Sequence, residues 1–275
     1  MKVLVTGANG YLGCGIIEQL IKKTEVDVVA CDISTQNLNG KLKTIQCDLF
    51  SLEDPYTYFG KPDVVLHLAW RDGFVHYSDS HVEDLYKHYL FLGKMAKSGV
   101  RKIAVLGSMH EVGFYEGCIN EDTSCNPITQ YGISKNALRQ LTEIICKQNG
   151  VLFQWLRGYY IVGSCKNGRS IFSKIALAAS EGERCFPFTM GQNQYDFIDY
   201  DEFTMDVVKA IMQDEVLGVI EICSGQPEKL STRVEKFIKE NGYDIELKYG
   251  AFPDRPYDSK AVWGSNDKIK KIVEG

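Results

Sequence analysis

Residues 6–13 read Thr6-Gly7-Ala8-Asn9-Gly10-Tyr11-Leu12-Gly13, directly after the apolar run Lys2-Val3-Leu4-Val5. The glycines fall at the spacing G-x-x-G-x-x-G. A strand that feeds such a loop and then a helix needs a tight turn, a close backbone approach and a close helix–strand contact, one glycine for each. The helix that follows offers unpaired amides and the positive end of its dipole, the surroundings an anionic phosphate seeks. Among 25 glycines a spaced triplet arises easily by chance. Its place after the first strand and before the first helix is what makes it specific.

Outward from this loop the chain alternates apolar runs with amphipathic stretches. The runs are Val3–Val5, Val26–Cys31, Thr44–Cys47, Val64–Leu68, Ile103–Leu106 and Leu152–Leu156; the helices expected between them are Tyr11–Lys23, Asp79–Ser98 and Tyr131–Gln148. In the third helix Leu138, Leu141, Ile144 and Ile145 recur at helical spacing and Gly150 ends it. The runs are apolar on both faces, as parallel strands covered by helices are. The pattern predicts an α/β Rossmann-type doubly wound parallel sheet over residues 1–163. Beyond Gly163 the clear strands thin to Asp196–Ile198 and Val219–Cys223. Residues 164–275 are expected to form a small mixed substrate-binding domain, interleaved with the first, with 196–225 returning to the sheet.

The composition narrows the partners. The chain of 275 residues carries a formal charge of −5, so a general affinity for nucleic acid, which needs a basic stripe, is not expected. No apolar run reaches membrane-spanning length, and no leader with a cleavage site is read at the N-terminus. The nine cysteines are odd in number and scattered, with no C-x-x-C pair, the usage of a reducing compartment. The cytoplasm is the expected location.

Cofactor contacts follow from the loop. Gly7, Asn9, Gly10, Tyr11, Leu12 and Gly13 line the expected dinucleotide site. Asp32 closes the second strand about 20 residues further on, where a carboxylate accepts hydrogen bonds from the adenosine ribose and repels a 2′-phosphate. It favours NAD over NADP. Asp48 and Leu49 follow the third strand, where an adenine can be met; Leu68 and Ala69 follow the fourth and flank the dinucleotide.

The chemistry is expected at Ser108, Tyr131 and Lys135. Tyr131 and Lys135 are i and i+4 on one helix face. A phenol titrates at about 10, and a neighbouring ammonium is expected to pull it down. Lys135 would also hold the nicotinamide ribose, while Ser108 steadies the substrate oxygen. Trp70, His110 and Glu111 lie at the strand ends on the same side and are expected to contact substrate. Structural or solvated readings compete for all three, and they are favoured for His76, His81 and His88, which lack a ligand set for a metal. No metal is expected.

TGANGYLG, Cys31-Asp32, CDLF, HLAW, LGS and YGISK together resemble the extended short-chain dehydrogenase/reductases, the NAD-dependent epimerase/dehydratase family. Later segments agree: Arg157-Gly158-Tyr159-Tyr160-Ile161-Val162-Gly163, Asp196-Phe197-Ile198 and Phe252-Pro253-Asp254-Arg255-Pro256. The resemblance implies a nucleotide-diphosphate sugar substrate, Arg255 as a clamp on its diphosphate, and a homodimer formed through the helix at Asp79–Ser98 and the Tyr131 helix. Tyr160 stands where the family has Asn, at a sugar or nicotinamide contact.

Departures from the family pattern sharpen the expectation. Ungapped, Met109 would take the hydroxyl's place, but methionine has no proton to donate and Ser108 is preferred. The Asp of the dehydratases' Asp-Glu pair is missing, which lowers the dehydratase reading. The form Gly107-Ser108-Met109-His110-Glu111-Val112-Gly113 resembles reductases of 4-keto-6-deoxy sugar nucleotides. The expected function is an NAD(P)-dependent oxidoreductase reducing such a sugar; a nucleotide-sugar 4-epimerase with tightly bound NAD and a non-catalytic dinucleotide sensor are the alternatives.

Overall fold

The computed structural model describes residues 1–38, 40, 42–163, 168–253 and 258–274. The strands are β1 (Lys2–Thr6), β2 (Asp27–Asp32), β3 (Lys43–Gln46), β4 (Val64–His67), β5 (Lys102–Ser108), β6 (Gly117–Ile119), β7 (Leu152–Gly158), β8 (Tyr160–Val162), β9 (Cys185–Pro187), β10 (Gln194–Asp199), β11 (Gly218–Ile222), β12 (Pro227–Lys229), β13 (Glu246–Lys248) and β14 (Ala261–Gly264). The helices are α1 (Tyr11–Leu20), α2 (Pro55–Tyr58), α3 (Ser80–Lys97), α4 (Gln130–Asn149), α5 (Ile171–Ser180), α6 (Tyr200–Met212), α7 (Leu230–Glu240) and α8 (Asp267–Glu274).

Seven strands form one parallel sheet in the order β11-β7-β5-β4-β1-β2-β3. The chain reverses direction across the sheet between β1 and β4, and the crevice at their C-terminal ends is where such folds bind ligands. Strand alternation splits the core. Val3 and Val5 pack with Ile16 and Leu20 of α1 and Phe203, Val207 and Ile211 of α6 on one face. Leu4 between them packs with Phe91, Leu92 and Met95 of α3 and Leu138 and Ile145 of α4 on the other. This two-sided burial is why the runs read as continuously apolar. Helix α1 is three residues shorter than expected, ending at Leu20. Gly150 closes α4 in the left-handed conformation at φ +66°.

Past Gly163 the structure departs from the expectation. Of residues 196–225, only Gly218–Ile222 joins the large sheet, as its β11 edge. Asp196–Ile198 lies in β10 of a second sheet, ordered β12-β10-β14-β6, with β8 also paired to β10. A third core of Tyr159, Phe172, Tyr195, Phe197, Phe237 and neighbours lies beneath this sheet. These strands are three to six residues long and several pair distant segments, β14 with β6 for example. So short a strand has no readable period. Asp196 ties the layer together: its buried carboxylate accepts from the N–H groups of Ser224, Gly225 and Gly264 and from the Ser224 hydroxyl at 2.7–3.1 Å.

Candidate active site

The glycine loop sits at the β1/β4 crevice. Gly7 adopts φ +67°, and a Cβ there would lie 2.5 Å from the Ala69 nitrogen, so the loop and the end of β4 touch backbone to backbone. A Cβ on Gly13 would strike the Gly7 and Ala8 carbonyls. Gly10 caps α1 without a side-chain hydrogen bond. The start of α1 therefore points its first-turn amides into a cradle whose glycines carry no side chain, and these residues fit a dinucleotide pyrophosphate.

The other expected cofactor residues surround this loop. Asp32 accepts the Asn9 N–H at 3.0 Å, and Asn9 in turn accepts from Asn37 at 2.7 Å. Tyr11 packs its ring 4.5 Å from that of Tyr200, whose hydroxyl donates to the Tyr11 carbonyl. Leu12 and Leu68 lie against one core and Ala69 against the other. Asp48 spends one carboxylate oxygen capping the turn after β3, accepting Phe50 N–H at 3.0 Å, and Leu49 is buried in the core. Tyr160 lies in the second layer, its ring 4.5 Å from Tyr195.

Ser108, Tyr131 and Lys135 converge at the ends of β5 and α4. Thr129 caps α4 by accepting Gly132 N–H at 3.1 Å, and Gly132 has no Cβ to strike the His110 carbonyl. Helix α4 is thereby drawn against the turn after β5, and the Ser108 hydroxyl hydrogen-bonds the Tyr131 phenol. Lys135 is 4% exposed and donates to the Leu106 carbonyl at 2.8 Å. Its ammonium stands 3.9 Å above the Trp70 ring centroid.

The acid–base state of the pair differs from the expectation. Burial pushes the Tyr131 phenol up to about 12, against the smaller opposing effect of Ser108. Burial also draws the Lys135 ammonium down to about 7, with Glu111 opposing. The expected depression of Tyr131 by Lys135 is not seen: the phenolate loses more by leaving water than the Ser108 hydrogen bond returns, and the Glu111 carboxylate raises it further. Tyr131 is a neutral phenol at neutral pH, a proton donor.

All five histidines gather around Tyr131 and Trp70, a grouping that their sequence positions alone conceal. The His76 ring stacks on Tyr131 at 5.2 Å and 9°, and the His110 ring meets His76 at 4.4 Å. Burial drives His110 down to about 4. His81 and His88 are buried against Trp70, 6.0 and 4.7 Å from its ring. Their i, i+7 spacing on α3 was the available signal. Among the described residues no three His, Cys, Asp or Glu converge as a metal site.

Glu111 corrects the sequence reading. It is fully buried. One oxygen accepts the Ser108 N–H and the Trp155 indole N–H, each at 2.8 Å, and lies 3.4 Å from Arg157 Nε. The other lies 3.7 Å from Arg139. Arg157 also pairs with Glu221 at 2.7 Å. Gly107 makes the arrangement possible, since a Cβ there would lie 2.7 Å from the carboxylate. Glu111 is a structural anion, and Arg139, Trp155 and Arg157 are its partners that sequence reasoning missed.

A cavity of about 500 Å³ opens in the second layer, lined by Ile171, Lys174, Phe186, Phe188, Phe252 and Pro253 among others. Arg255 lies outside the described residues. No described helix is long and apolar enough to cross a membrane.

Comparison with known proteins agrees with this architecture. Residues 3–222 match the NAD dependent epimerase/dehydratase family. A dTDP-6-deoxy-L-talose 4-dehydrogenase (NAD(+)) from Aggregatibacter actinomycetemcomitans is 39% identical over 271 residues, covering 96% of this chain and 100% of the relative. The solved UDP-N-acetylglucosamine 4-epimerase from Methanobrevibacter ruminantium M1, in complex with UDP-N-acetylmuramic acid, superposes with a TM-score of 0.85 at 21% identity, covering 98% and 91% of the two chains. UDP-glucuronic acid 4-epimerase from Bacillus cereus, solved with UDP-glucuronic acid and NAD, gives a TM-score of 0.82 at 20% identity, covering 100% and 93%. The two structures share the fold; the talose dehydrogenase is alike along its whole length. The chain is an enzyme of the NAD dependent epimerase/dehydratase family.

Proposed function

We propose that this enzyme interconverts a 4-keto and a 4-hydroxyl group on a dTDP-linked 6-deoxy sugar, with NAD(H) as cofactor. The likeness to the talose dehydrogenase over 96% of the chain carries the substrate assignment. When bound, NADH supplies the hydride. In the reductive direction the Ser108 hydroxyl donates a hydrogen bond to the keto oxygen and Tyr131, neutral at physiological pH, gives it the proton. Lys135 holds the nicotinamide ribose with the N–H bonds not used on Leu106.

The choice of NAD rests on Asp32. Its carboxylate is aimed by Asn9 N–H at the loop where the adenosine ribose would lie, and a 2′-phosphate there meets like charge. The nucleotide end of the substrate is assigned to the cavity of the second layer, where Phe186, Phe188 and Phe252 offer aromatic surface for a base and Lys174 a cation. His110 and Trp70 remain on the crevice side as sugar neighbours.

The quaternary reading is a homodimer. Helices α3 and α4 pack side by side and each leaves an apolar ridge in solvent: Val82, Tyr86 and Leu90 on α3, and Ile133, Leu141 and Ile144 on α4. Of the four residues at helical spacing on α4, Leu138 and Ile145 are buried and Leu141 and Ile144 are exposed. A second copy of the same pair would bury both ridges in a four-helix contact. The eight described cysteines are all unpaired thiols, the usage on which a cytoplasmic location rests.

The test is NADH oxidation with dTDP-4-keto-6-deoxy sugars of both configurations at carbon 5. Turnover with one of them establishes the ketoreductase. Absence of turnover, together with NAD copurifying in stoichiometric amount, would instead identify an epimerase.

A further inference from the structure

We propose that Trp70 is a positioning residue for Lys135: the indole face holds the ammonium over the crevice by a cation–π contact, and a buried histidine chain holds the indole. The inference rests on the reading of Lys135 as the group that holds the nicotinamide ribose.

Among the described residues no carboxylate pairs with the buried Lys135 amine, and it makes one hydrogen bond, to the neutral Leu106 carbonyl. Its Nζ lies 3.9 Å from the Trp70 centroid. Glu111 acts on it only through space, because the Glu111 oxygens face Arg157 and Arg139. A tryptophan face is the strongest aromatic partner for a cation, and the contact strengthens where water is absent. The quadrupole stabilises the charged form without adding an anion to a site that must receive phosphates and a hydride-carrying ring.

The indole is unusually well held. Its N–H donates to His81 Nδ1 at 3.0 Å. An indole nitrogen can only donate, so His81 Nδ1 is an acceptor and its proton sits on Nε2, which donates to the Val75 carbonyl at 2.9 Å. The neutral tautomer of His81 is thereby specified. The indole also lies on the His88 ring at 4.7 Å and 11°. His88 Nδ1 shares a proton with His67 Nε2 at 2.8 Å, and His67 Nδ1 bonds Thr6 Oγ1 at 2.8 Å. The plane of Trp70 is therefore set from α3 on one hand and from β4 and β1 on the other.

The titratable groups facing Lys135 are few. Glu111 comes from the turn after β5, Tyr131 from α4 itself, His67 from β4 and His88 from α3. Burial keeps His67 and His88 neutral, His88 down at about 3, so neither adds a competing charge. Beside the through-space attraction of Glu111, the indole face is the group in contact that favours the ammonium.

The readout is the pH dependence of NADH affinity, followed by nicotinamide fluorescence, for the unmodified enzyme, Trp70→Leu, Trp70→Phe and Lys135→Met. Affinity is expected to fall as pH rises through the Lys135 titration. Lys135→Met should weaken binding and remove that fall. Trp70→Leu should move the midpoint down by roughly one pH unit, and Trp70→Phe, which keeps a weaker π face and a similar fit, should lie between. A midpoint unmoved in both Trp70 variants, while Lys135→Met abolishes it, would overturn the positioning role and leave the proposed function standing. A pH dependence that survives Lys135→Met would overturn both. A structural role alone would change affinity at every pH and leave the midpoint in place.

Discussion

The Ser108 backbone N–H donates to the Glu111 carboxylate at 2.8 Å, and the Ser108 hydroxyl accepts the His110 N–H at 3.3 Å, so the two side chains close one turn against each other. The proposed catalytic serine is thus aimed by a fully buried carboxylate. Glu111→Ala would leave Arg157, 1% exposed, beside an empty site, and removing one partner of a buried pair costs about 3–5 kcal/mol. Chemical denaturation should show a loss of that order. The KM for the sugar in the fraction that stays folded should be unchanged; a KM effect exceeding the stability effect would return Glu111 to the substrate site.

Tyr131→Phe removes the proposed proton donor and its hydrogen bond with Ser108, while the ring keeps its stack on His76. Turnover should fall by about 10²–10⁴-fold with NADH affinity within a small factor of the unmodified enzyme. Retention of most of the activity would remove Tyr131 from the chemistry.

The pH profile of reduction follows from the two opposed shifts. Tyr131, raised to about 12, remains protonated throughout the working range and imposes no alkaline limit there. Lys135, lowered to about 7, loses its charge as pH rises, so kcat/KM should fall through neutrality in a single alkaline limb. A limb near the ordinary phenol value would show that Tyr131 titrates instead.

Asp32→Ala should relax discrimination against NADP(H) by more than it lowers the rate with NADH. The carboxylate is held by Asn9 N–H at 3.0 Å, and its removal deletes a charge without disturbing α1. Kinetic comparison of the two cofactors decides the point. An unmodified enzyme that uses both equally would remove the role of Asp32 in selection.

The ridges on α3 and α4 predict a self-association that charge should break. Tyr86 is 65% and Ile144 53% exposed, so Tyr86→Glu with Ile144→Glu should fold normally. Sedimentation should then show a dimer becoming a monomer. An unmodified protein that sediments as a monomer at micromolar concentration would remove the dimer.

Strand and helix order, the glycine cradle and the triad of Ser108, Tyr131 and Lys135 were legible because each is a local pattern. Apolar runs, glycine spacing and an i, i+4 pair are written in adjacent residues, and burial on both faces of β1 makes Val3-Leu4-Val5 unmistakable. The second layer was not legible. Strands of three or four residues such as β6 and β14 have no period, and they exist only because their partners lie far along the chain.

By itself the sequence determined the large sheet, the glycine loop at its C-terminal edge and the residue types proposed to carry the chemistry. Tertiary structure decided how those residues behave. It turned Glu111 inward to Arg157, left Leu141 and Ile144 in solvent, and gathered His67, His76, His81, His88 and His110 around one tyrosine and one tryptophan. Burial depends on what packs from distant segments, and burial set the protonation of Tyr131 and Lys135. No local spacing encodes the solvent that a side chain loses when the chain closes over it.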